Sequence, residues 1–285
     1  MRFFRILSSS LLLISLGIAL AFCTQNQVPN KPSCEILNKS GNTLSSRFNV
    51  PTGFERIAVE KASFAEYLRN IPLKLDGSKV KYFDGTEKPS DGVYCAVIDL
   101  PIGKSDIHHC ADAVMHLRVE YLFQKGDFQN IHFNFTNGFK AEYSKWMDGY
   151  RIKVAGNNCS WEKTAKAENS RKVFDKFMEM VYSYAGTASL AKELKSVSVS
   201  EMHIGDVFIR GGSPGHAVIV VDMSENKKTG EKLFMLAQSY MPAQEIQILI
   251  NPNDTKISPW YKTNFPTQLE TPQYIFERNE LKRFP

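Results

Sequence analysis

The stretch GDVFIRGGSPGHAVIVVDM, residues 205–223, constrains the fold more than any other part of the chain. Two runs of β-branched and other apolar residues flank a turn that is rich in glycine, which predicts two buried strands. His216 lies at the start of the second strand, directly after this turn. A histidine in that position is either an ordinary buried residue at a strand entrance or the base of a hydrolase. Which of these two roles His216 has depends on the residues that the fold brings near it.

The order of the predicted elements indicates the fold class. Helices come first and most strands come afterwards, as expected for an α+β fold. Helices are predicted after the capping residue Ser63, after the N-cap candidate Asp106, over residues 170–184 and over residues 190–194, and strands over residues 93–98, 131–135, 207–210, 217–222, 233–238 and 246–250, with a further hairpin around residues 156–158.

Residues 1–22 are predicted to be an export signal, because two arginines precede an apolar stretch that is too short for a stable membrane span. The sequence LAFC, residues 20–23, resembles the lipobox of bacterial lipoproteins, in which the signal is cut before a cysteine that then carries lipid. This resemblance implies a lipid anchor on Cys23 and a place in the bacterial cell envelope, at the periplasm or outer membrane. Phe22 is larger than the residue usually found there, so cleavage and secretion without lipid is the alternative.

The rest of the chain divides into a polar segment and one domain. Residues 23–47 are rich in polar residues and proline and are predicted to be a flexible tether, followed by a single α+β domain over residues 48–285. Removal of the signal takes Arg2 and Arg5 from the 35 basic side chains and leaves 33 against 30 acidic ones. A net charge of about +3 is no nucleic-acid footprint.

Four cysteines follow Cys23, at Cys34, Cys95, Cys110 and Cys159. Exported proteins meet an oxidising compartment, so two disulfides are one interpretation, with three pairings open, and at least one free thiol is the other. None of the cysteines has the C-x-x-C spacing of a zinc site, and no phosphate-binding loop is visible. The sequence therefore predicts no metal and no cofactor.

Cys110 is the cysteine with the setting of a nucleophile. It lies in the first turn of a predicted buried helix, where unpaired backbone N–H groups favour a thiolate and are expected to lower its pKa. His216 then qualifies as the base, held by its strand and facing a cleft. If the next hairpin is centred near Lys227, Gln238 lies directly across from His216 and can accept from its ring. A slip of one residue puts Ser239 there instead.

This order of motifs, a cysteine at a helix start, a "GD" strand, "GHAVIVV" and a strand with a polar residue, resembles the NlpC-type cell-wall cysteine peptidases of the papain-like superfamily. The resemblance implies a papain-like core in which the nucleophile helix packs on a small antiparallel sheet, plus an inserted or N-terminal subdomain. It also implies that Cys110 is the nucleophile, His216 the base and Gln238 the residue that orients the base.

The region from Phe48 to Phe284 resembles more closely the bacterial domain-of-unknown-function family 4846 (DUF4846). The matching stretches are "EYLRNIPLK", "CADAVMHLRVEYL", "YAGTASL", "GDVFIRGGSPGHAVIVVDM" and "LAQSYMPAQEIQIL". This resemblance implies the extent of the domain and no particular activity.

The function expected is that of an envelope lipoprotein whose thiol hydrolase domain acts on amide bonds in peptidoglycan peptides. The backbone N–H of Cys110 and a second donor, unassigned from sequence, are expected to stabilise the oxyanion. Two features depart from the NlpC pattern: "CADA" lacks the Asp-Cys-Ser-Gly form, and 106 residues separate Cys110 from His216. The alternative is therefore an inactive lipoprotein that binds cell-wall glycan or a partner protein through the same cleft.

Several further residues carry two interpretations each. Cys159 is a second nucleophile candidate, and His108 and His109 are interpreted as surface residues that also have the chemistry to tune the thiol or hold a metal. Other polar and aromatic side chains are read either as lining a substrate cleft or as solvated faces and core packing: His132, Asn134, Trp146, Tyr150, Trp260 and Tyr261.

Overall fold

The computed structural model describes residues 36–89 and 92–285. The predicted export signal over residues 1–22, the predicted lipid site Cys23 and also Cys34 lie outside the described residues. In the part of the chain that is described, no helix has the length and apolar character needed to cross a membrane.

The described residues form six α-helices and fifteen strands. The helices are α1 (Leu44–Arg47), α2 (Phe64–Arg69), α3 (Cys110–Gln124), α4 (Tyr143–Met147), α5 (Arg171–Tyr184) and α6 (Thr187–Glu193). The strands are β1 (Glu55–Arg56), β2 (Tyr94–Val97), β3 (His132–Asn134), β4 (Lys140–Glu142), β5 (Tyr150–Ala155), β6 (Asn158–Lys163), β7 (Lys195–Ser196), β8 (Val207–Arg210), β9 (His216–Glu225), β10 (Lys232–Gln238), β11 (Gln247–Leu249), β12 (Tyr261–Lys262), β13 (Gln268–Glu270), β14 (Ile275–Glu277) and β15 (Leu281–Arg283).

A large antiparallel sheet organises this part of the chain. Seven of its nine strands follow the order β2, β11, β10, β9, β8, β15, β7, while β1 pairs with β9 and β12 pairs with β10. The α+β class is therefore confirmed. The prediction of a small sheet is wrong, because the C-terminal segment adds β12 to β10 and places β15 between β8 and β7.

Strand β9 lies at the centre of the sheet and is buried on both faces. Ala217 and Ile219 belong to the apolar cluster that includes α3, which packs against β9. Val218 and Val220 belong to a second cluster on the other face, together with Phe276 of β14. Burial on both faces explains why the sequence of β9 is nearly continuously apolar instead of alternating.

The tether predicted over residues 23–47 ends earlier than expected. Ile36 and Leu44 are buried in the main core, and α1 begins at Leu44. Arg47 is also buried, and its Nε donates to the backbone oxygen of Gly41 over 2.7 Å. Residues 36–47 therefore pack into the domain. Their polar composition hides the few apolar side chains that anchor them.

Helix α3 begins four residues later than its predicted N-cap. The prediction that Asp106 caps this helix is wrong, because its carboxylate accepts from the backbone N–H of Ala243 over 2.6 Å and lies 2.9 Å from the ring of His109. His109 is the N-cap residue, and its backbone N–H donates to Asp112 over 2.9 Å. Cys110 is thus the first helical residue, which confirms its predicted place in the first turn.

A buried carboxylate ties β9 to the elements that cover its edge. Asp222 is fully buried, and its two oxygens each accept from an arginine Nε over 2.7 Å, from Arg56 of β1 and from Arg69 of α2. Removing one side of a buried ion pair leaves the other charges without compensation. This cluster therefore holds α2 and β1 against the central strand.

We predict that Asp222→Ala lowers the free energy of unfolding by about 3–5 kcal/mol, since it leaves two arginines uncompensated. Urea denaturation followed by circular dichroism measures the change. Lys153→Ala breaks an exposed pair with Glu162 and is expected to leave the midpoint unchanged. Equal effects of the two variants would contradict a structural role for Asp222.

Candidate active site

One extra residue in β9 controls which side chains of β9 and β10 share a face. Met235 of β10 pairs with Asp222, but the next residue, Leu236, pairs with Val220. Val221 is therefore a β-bulge, with two residues of β9 opposite one of β10. Beyond the bulge, each residue of β10 faces the opposite side of the sheet from the one that an unbulged register would give.

The bulge brings Gln238 and His216 to the same face. Ala237 pairs with Ile219, so Gln238 shares a face with the even-numbered residues at the start of β9, including His216. The register predicted from a hairpin centred near Lys227 is wrong by two residues. An even shift keeps the face, so the two side chains form a diagonal pair instead of a directly opposite one.

His216 is held by a hydrogen bond and by aromatic rings. Its Nε2 lies 2.8 Å from Oε1 of Gln238, and its ring centroid lies 4.9 Å from that of Tyr240 and 5.1 Å from that of Tyr274. Burial lowers the pKa of His216 to about 4, although the hydrogen bond to Gln238 opposes this shift. The ring is therefore neutral at pH 7 and able to accept a proton.

Cys110 is buried at the start of α3. Burial raises the pKa of its thiol to about 11, while the backbone N–H of Ala217 acts in the opposite direction. The expectation of a lowered pKa is wrong, because a helix N-terminus contributes at most about 2 kcal/mol even in a partly buried site. Loss of hydration outweighs that contribution, and Cys110 is a thiol at neutral pH.

A cavity of about 400 Å³ joins the two candidate residues. Its wall is formed by the start of α3, the end of α5, the glycine-rich turn before β9 and the segments after β10 and before β14, with Cys110, Asp112, Tyr182, His216, Tyr240 and Tyr274 among the lining residues. The effect of the Ala217 N–H on the thiol places the sulfur against the residue that follows His216. Gln238 lies behind His216 and is itself buried.

The thiol of Cys110 and the imidazole of His216 line the same cavity, and both are neutral at pH 7. With pKa values of about 11 for Cys110 and about 4 for His216, moving the proton from sulfur to nitrogen costs about 10 kcal/mol. A resting thiolate–imidazolium pair is therefore negligible. The arrangement suits a reaction in which His216 takes the proton while the sulfur attacks, as with other nucleophiles that an adjacent base activates.

Two polar residues of the cavity, Asp112 and Tyr182, were not predicted from the sequence as site residues. Burial raises the pKa of Asp112 to about 8, and burial and the charge of Asp112 raise the pKa of Tyr182. Among the described residues, Oδ1 of Asp112 and the hydroxyl of Tyr182 have no hydrogen-bond partner. A carboxyl that stays protonated at pH 7 can donate a hydrogen bond. The only sequence signal was an aspartate two residues after the candidate nucleophile.

The thiol of Cys110 is not part of a disulfide. Cys95, Cys110 and Cys159 are all free cysteines. The interpretation with two disulfides is therefore wrong, since it needs all four cysteines after Cys23, and the one with at least one free thiol is confirmed. Cys159 lies on β6, where Asn137 donates to its sulfur over 3.3 Å, and it does not line the cavity.

Ser239 and the aromatic and polar alternatives named from the sequence do not line the cavity, whereas His109 does. Ser239 does not replace Gln238 beside His216, because its hydroxyl donates to the backbone oxygen of Gln244 over 2.7 Å. The core interpretation is confirmed for three aromatic residues that are buried: Trp146, Trp260 and Tyr261. His132, Asn134 and Tyr150 are half-buried and do not line the cavity.

His108 and His109 lie before α3 and differ in exposure. His109 is half-buried, while His108 is buried, with its Nε2 3.0 Å from Nδ1 of His116. Nε2 of His116 in turn lies 3.2 Å from Oε1 of Glu120. The surface interpretation of His108 is wrong, because its ring is buried against the rings of His116 of α3 and Tyr182 of α5.

Comparison with known proteins agrees with the family resemblance. The family model described as "Domain of unknown function (4846)" matches residues 44–283, which confirms the DUF4846 resemblance seen in the sequence. No curated protein and no solved structure matches the chain. The resemblance to NlpC-type peptidases stays a prediction.

The low pKa of His216 makes a prediction about acid stability. The unfolded chain takes up a proton at this residue below pH 6.5, while the folded protein resists it down to about pH 4. The stability contribution of neutral His216 is therefore complete above pH 6.5 and lost as the pH falls towards 4. We expect His216→Asn to lose about 3 kcal/mol less than the parent protein between pH 7 and pH 4 in urea titrations. Parallel losses in the two proteins would contradict a buried neutral His216.

Proposed function

The chain belongs to the family of domain of unknown function 4846, and we propose that its domain is a thiol hydrolase that cleaves an amide bond by acyl transfer to Cys110. The observation that carries the proposal is the cavity shared by Cys110 and His216, with Gln238 hydrogen-bonded behind the base. A nucleophile, a base and a residue that orients the base are the three parts that such a reaction needs.

In this mechanism His216 works as a general base and then as a general acid. Its unprotonated ring nitrogen takes the thiol proton while the sulfur of Cys110 bonds to the carbonyl carbon, and the carbonyl oxygen becomes negative. The tetrahedral intermediate expels the amine, which receives the proton from His216, and leaves a thioester. Water, deprotonated by His216, then attacks the thioester, releases the acid and restores the thiol.

The oxyanion needs donors that are already in place. The backbone N–H of Cys110 belongs to the first turn of α3, where such groups have no helical acceptor. Asp112 lies two residues after Cys110 in the same helix, and its carboxyl carries a proton at neutral pH because burial raises its pKa to about 8. We propose its carboxyl as the second donor, the part of the site that the sequence left unassigned.

The substrate class follows from the predicted location and the size of the cavity. We propose, from the predicted signal and lipid site at Cys23, that the domain lies in the cell envelope, anchored to a membrane or, in the alternative, secreted. A volume of about 400 Å³ accepts a short peptide segment and not a folded protein. Peptidoglycan peptides are then the proposed substrate, with no cofactor.

The papain-like core belongs to this proposal as well. Helix α3 packs on β9, and the nucleophile, base and orienting residue lie on α3, β9 and β10 in that order along the chain. The long segment between Cys110 and His216 adds wall residues to the cavity from α5 and α6, such as Tyr182 and Thr187. We propose that this segment is the inserted subdomain and shapes the cleft.

We predict that Cys110→Ser reduces the release of peptides from purified peptidoglycan at least about a thousandfold, because a serine at this position lacks the nucleophilicity of sulfur. Mass spectrometry of the soluble fragments identifies the new carboxyl and amine ends. Cys159→Ser removes a thiol outside the cavity and is expected to act like the parent protein. Unchanged release by the Cys110 variant would contradict the proposal.

A second candidate is an inactive domain that binds glycan or a partner protein in the same cavity. It is favoured by the neutral thiol and imidazole and by the rings of Tyr240 and Tyr274 in the wall, which suit stacking on a sugar. This candidate predicts that the parent protein and Cys110→Ser sediment equally with peptidoglycan and release no fragment, while Tyr274→Ala sediments less. Fragment release that depends on Cys110 would contradict it.

A further inference from the structure

A chain of hydrogen bonds through buried side chains and the half-buried Gln273 leads from His216 to Lys88. His216 Nε2 lies 2.8 Å from Oε1 of Gln238, and Nε2 of Gln238 donates to Oε1 of Gln273 over 2.7 Å. The same oxygen of Gln273 accepts from Nζ of Lys88 over 3.3 Å. Residues from the segment before β2, from β10 and from the segment before β14 thus meet behind the candidate base.

Lys88 determines which atom donates and which accepts at each hydrogen bond between it and His216. A protonated amine only donates, so the amide of Gln273 has to present its oxygen to Lys88. The same oxygen, with two lone pairs, then accepts from Gln238, which has to present its nitrogen. The oxygen of Gln238 is left for His216, and it accepts only from a protonated Nε2. Each step follows from donor and acceptor chemistry alone.

We propose that Lys88 is a positioning residue that fixes His216 in the tautomer with its proton on Nε2, so that Nδ1 is the nitrogen free to accept a proton. The assignment of the tautomer stands without any activity. Its use, to leave Nδ1 as the base for Cys110, rests on the proposed function.

Lys88 is itself held in place. Its side chain is buried, and its Nζ also donates to Oε1 of Gln244 over 2.8 Å. Gln244 is oriented by two further contacts, since its oxygen accepts from Nε2 of Gln247 over 3.0 Å and its nitrogen donates to the backbone oxygen of Pro242 over 3.0 Å. The ammonium group therefore has two amide oxygens that the surrounding residues keep turned towards it.

An uncharged residue at position 88 does not fix the donor and acceptor at each of these hydrogen bonds. An amide or a hydroxyl both donates and accepts, so Gln273 and Gln238 can reverse together and His216 can then carry its proton on Nδ1. A cation at position 88 only donates, and it therefore excludes this reversed orientation of the two amides. Burial lowers the pKa of Lys88 to about 8, which leaves it mostly protonated at pH 7, and its charge also disfavours a second proton on His216.

The tautomer is measured by nitrogen-15 NMR of histidine-labelled full-length protein at pH 7. The expected spectrum of the parent protein has a pyrrole-type shift at Nε2 and a pyridine-type shift at Nδ1 of His216. Lys88→Met fills the same volume without a charge, and we expect both shifts to move towards the values of a mixture. Lys88→Arg keeps an obligate donor and is expected to restore the parent spectrum.

Two further variants separate the chain of hydrogen bonds from other effects. Gln273→Leu interrupts the chain while Lys88 keeps its charge, and it is expected to give the same mixture as Lys88→Met. Lys172→Met, on the exposed face of α5, is expected to leave His216 unchanged. A parent spectrum with the proton on Nδ1 would overturn the proposal. So would Lys88→Met or Gln273→Leu with an unshifted His216 in a protein whose amide spectrum is still folded.

The NMR test of the His216 tautomer does not depend on whether the domain is a hydrolase. If peptide release depends on Cys110, Lys88→Met is expected to lower kcat at least about tenfold with KM unchanged, and Lys88→Arg to recover it. If no release is found, the NMR result still decides the tautomer. If His216 in Lys88→Met still carries its proton on Nε2 as in the parent protein, the role of Lys88 is overturned and the hydrolase proposal is left intact.

Discussion

The hydrogen bond between His216 and Gln238 depends on one extra residue in the central strand. Without the bulge at Val221, Gln238 would face the other side of the sheet and His216 would have lost its acceptor. Asp222, the next residue, is fixed by arginines from β1 and α2. The ion pairs that stabilise this part of the fold therefore also hold the strand in the conformation that assembles the site. Stability and site geometry are coupled through two neighbouring positions of β9.

Burial determines the chemistry of the site. It keeps the Cys110 thiol, the His216 ring and the Asp112 carboxyl in their neutral forms at pH 7, although each would be expected to carry some charge in water or at a helix terminus. A neutral site has no resting thiolate and therefore little reactivity without a substrate in place. In the proposed mechanism, proton transfer has to accompany the attack of the sulfur, and the ring nitrogen that takes the proton has to be the one that faces the thiol. The direction imposed by the hydrogen-bond chain on His216 meets that requirement.

Local sequence signals located much of this architecture. Ser63 caps α2 as its pattern predicts, α5 lies within the predicted range 170–184, and β8 has the predicted bounds. The pairing of His216 with Gln238 was predicted from a register that was wrong by two residues, and it held because strand faces repeat every two residues. A bulge has no sequence signal of comparable strength, and neither has burial, which decides the pKa of Cys110. Contacts between distant segments, such as Lys88 with Gln273, become visible only once the sheet is assembled.

The central claim is that Cys110 and His216 act as one unit, and alkylation by iodoacetamide at pH 7 tests it most directly. This reagent is small and neutral, and the cavity has a volume of about 400 Å³. Mass spectrometry measures the rate of its attachment to Cys110 and, as an internal reference, to Cys159. With His216 as the base, replacing it by asparagine is expected to slow the reaction of Cys110 at least about a hundredfold and leave that of Cys159 unchanged. Equal rates for Cys110 in the parent protein and in His216→Asn would contradict the account.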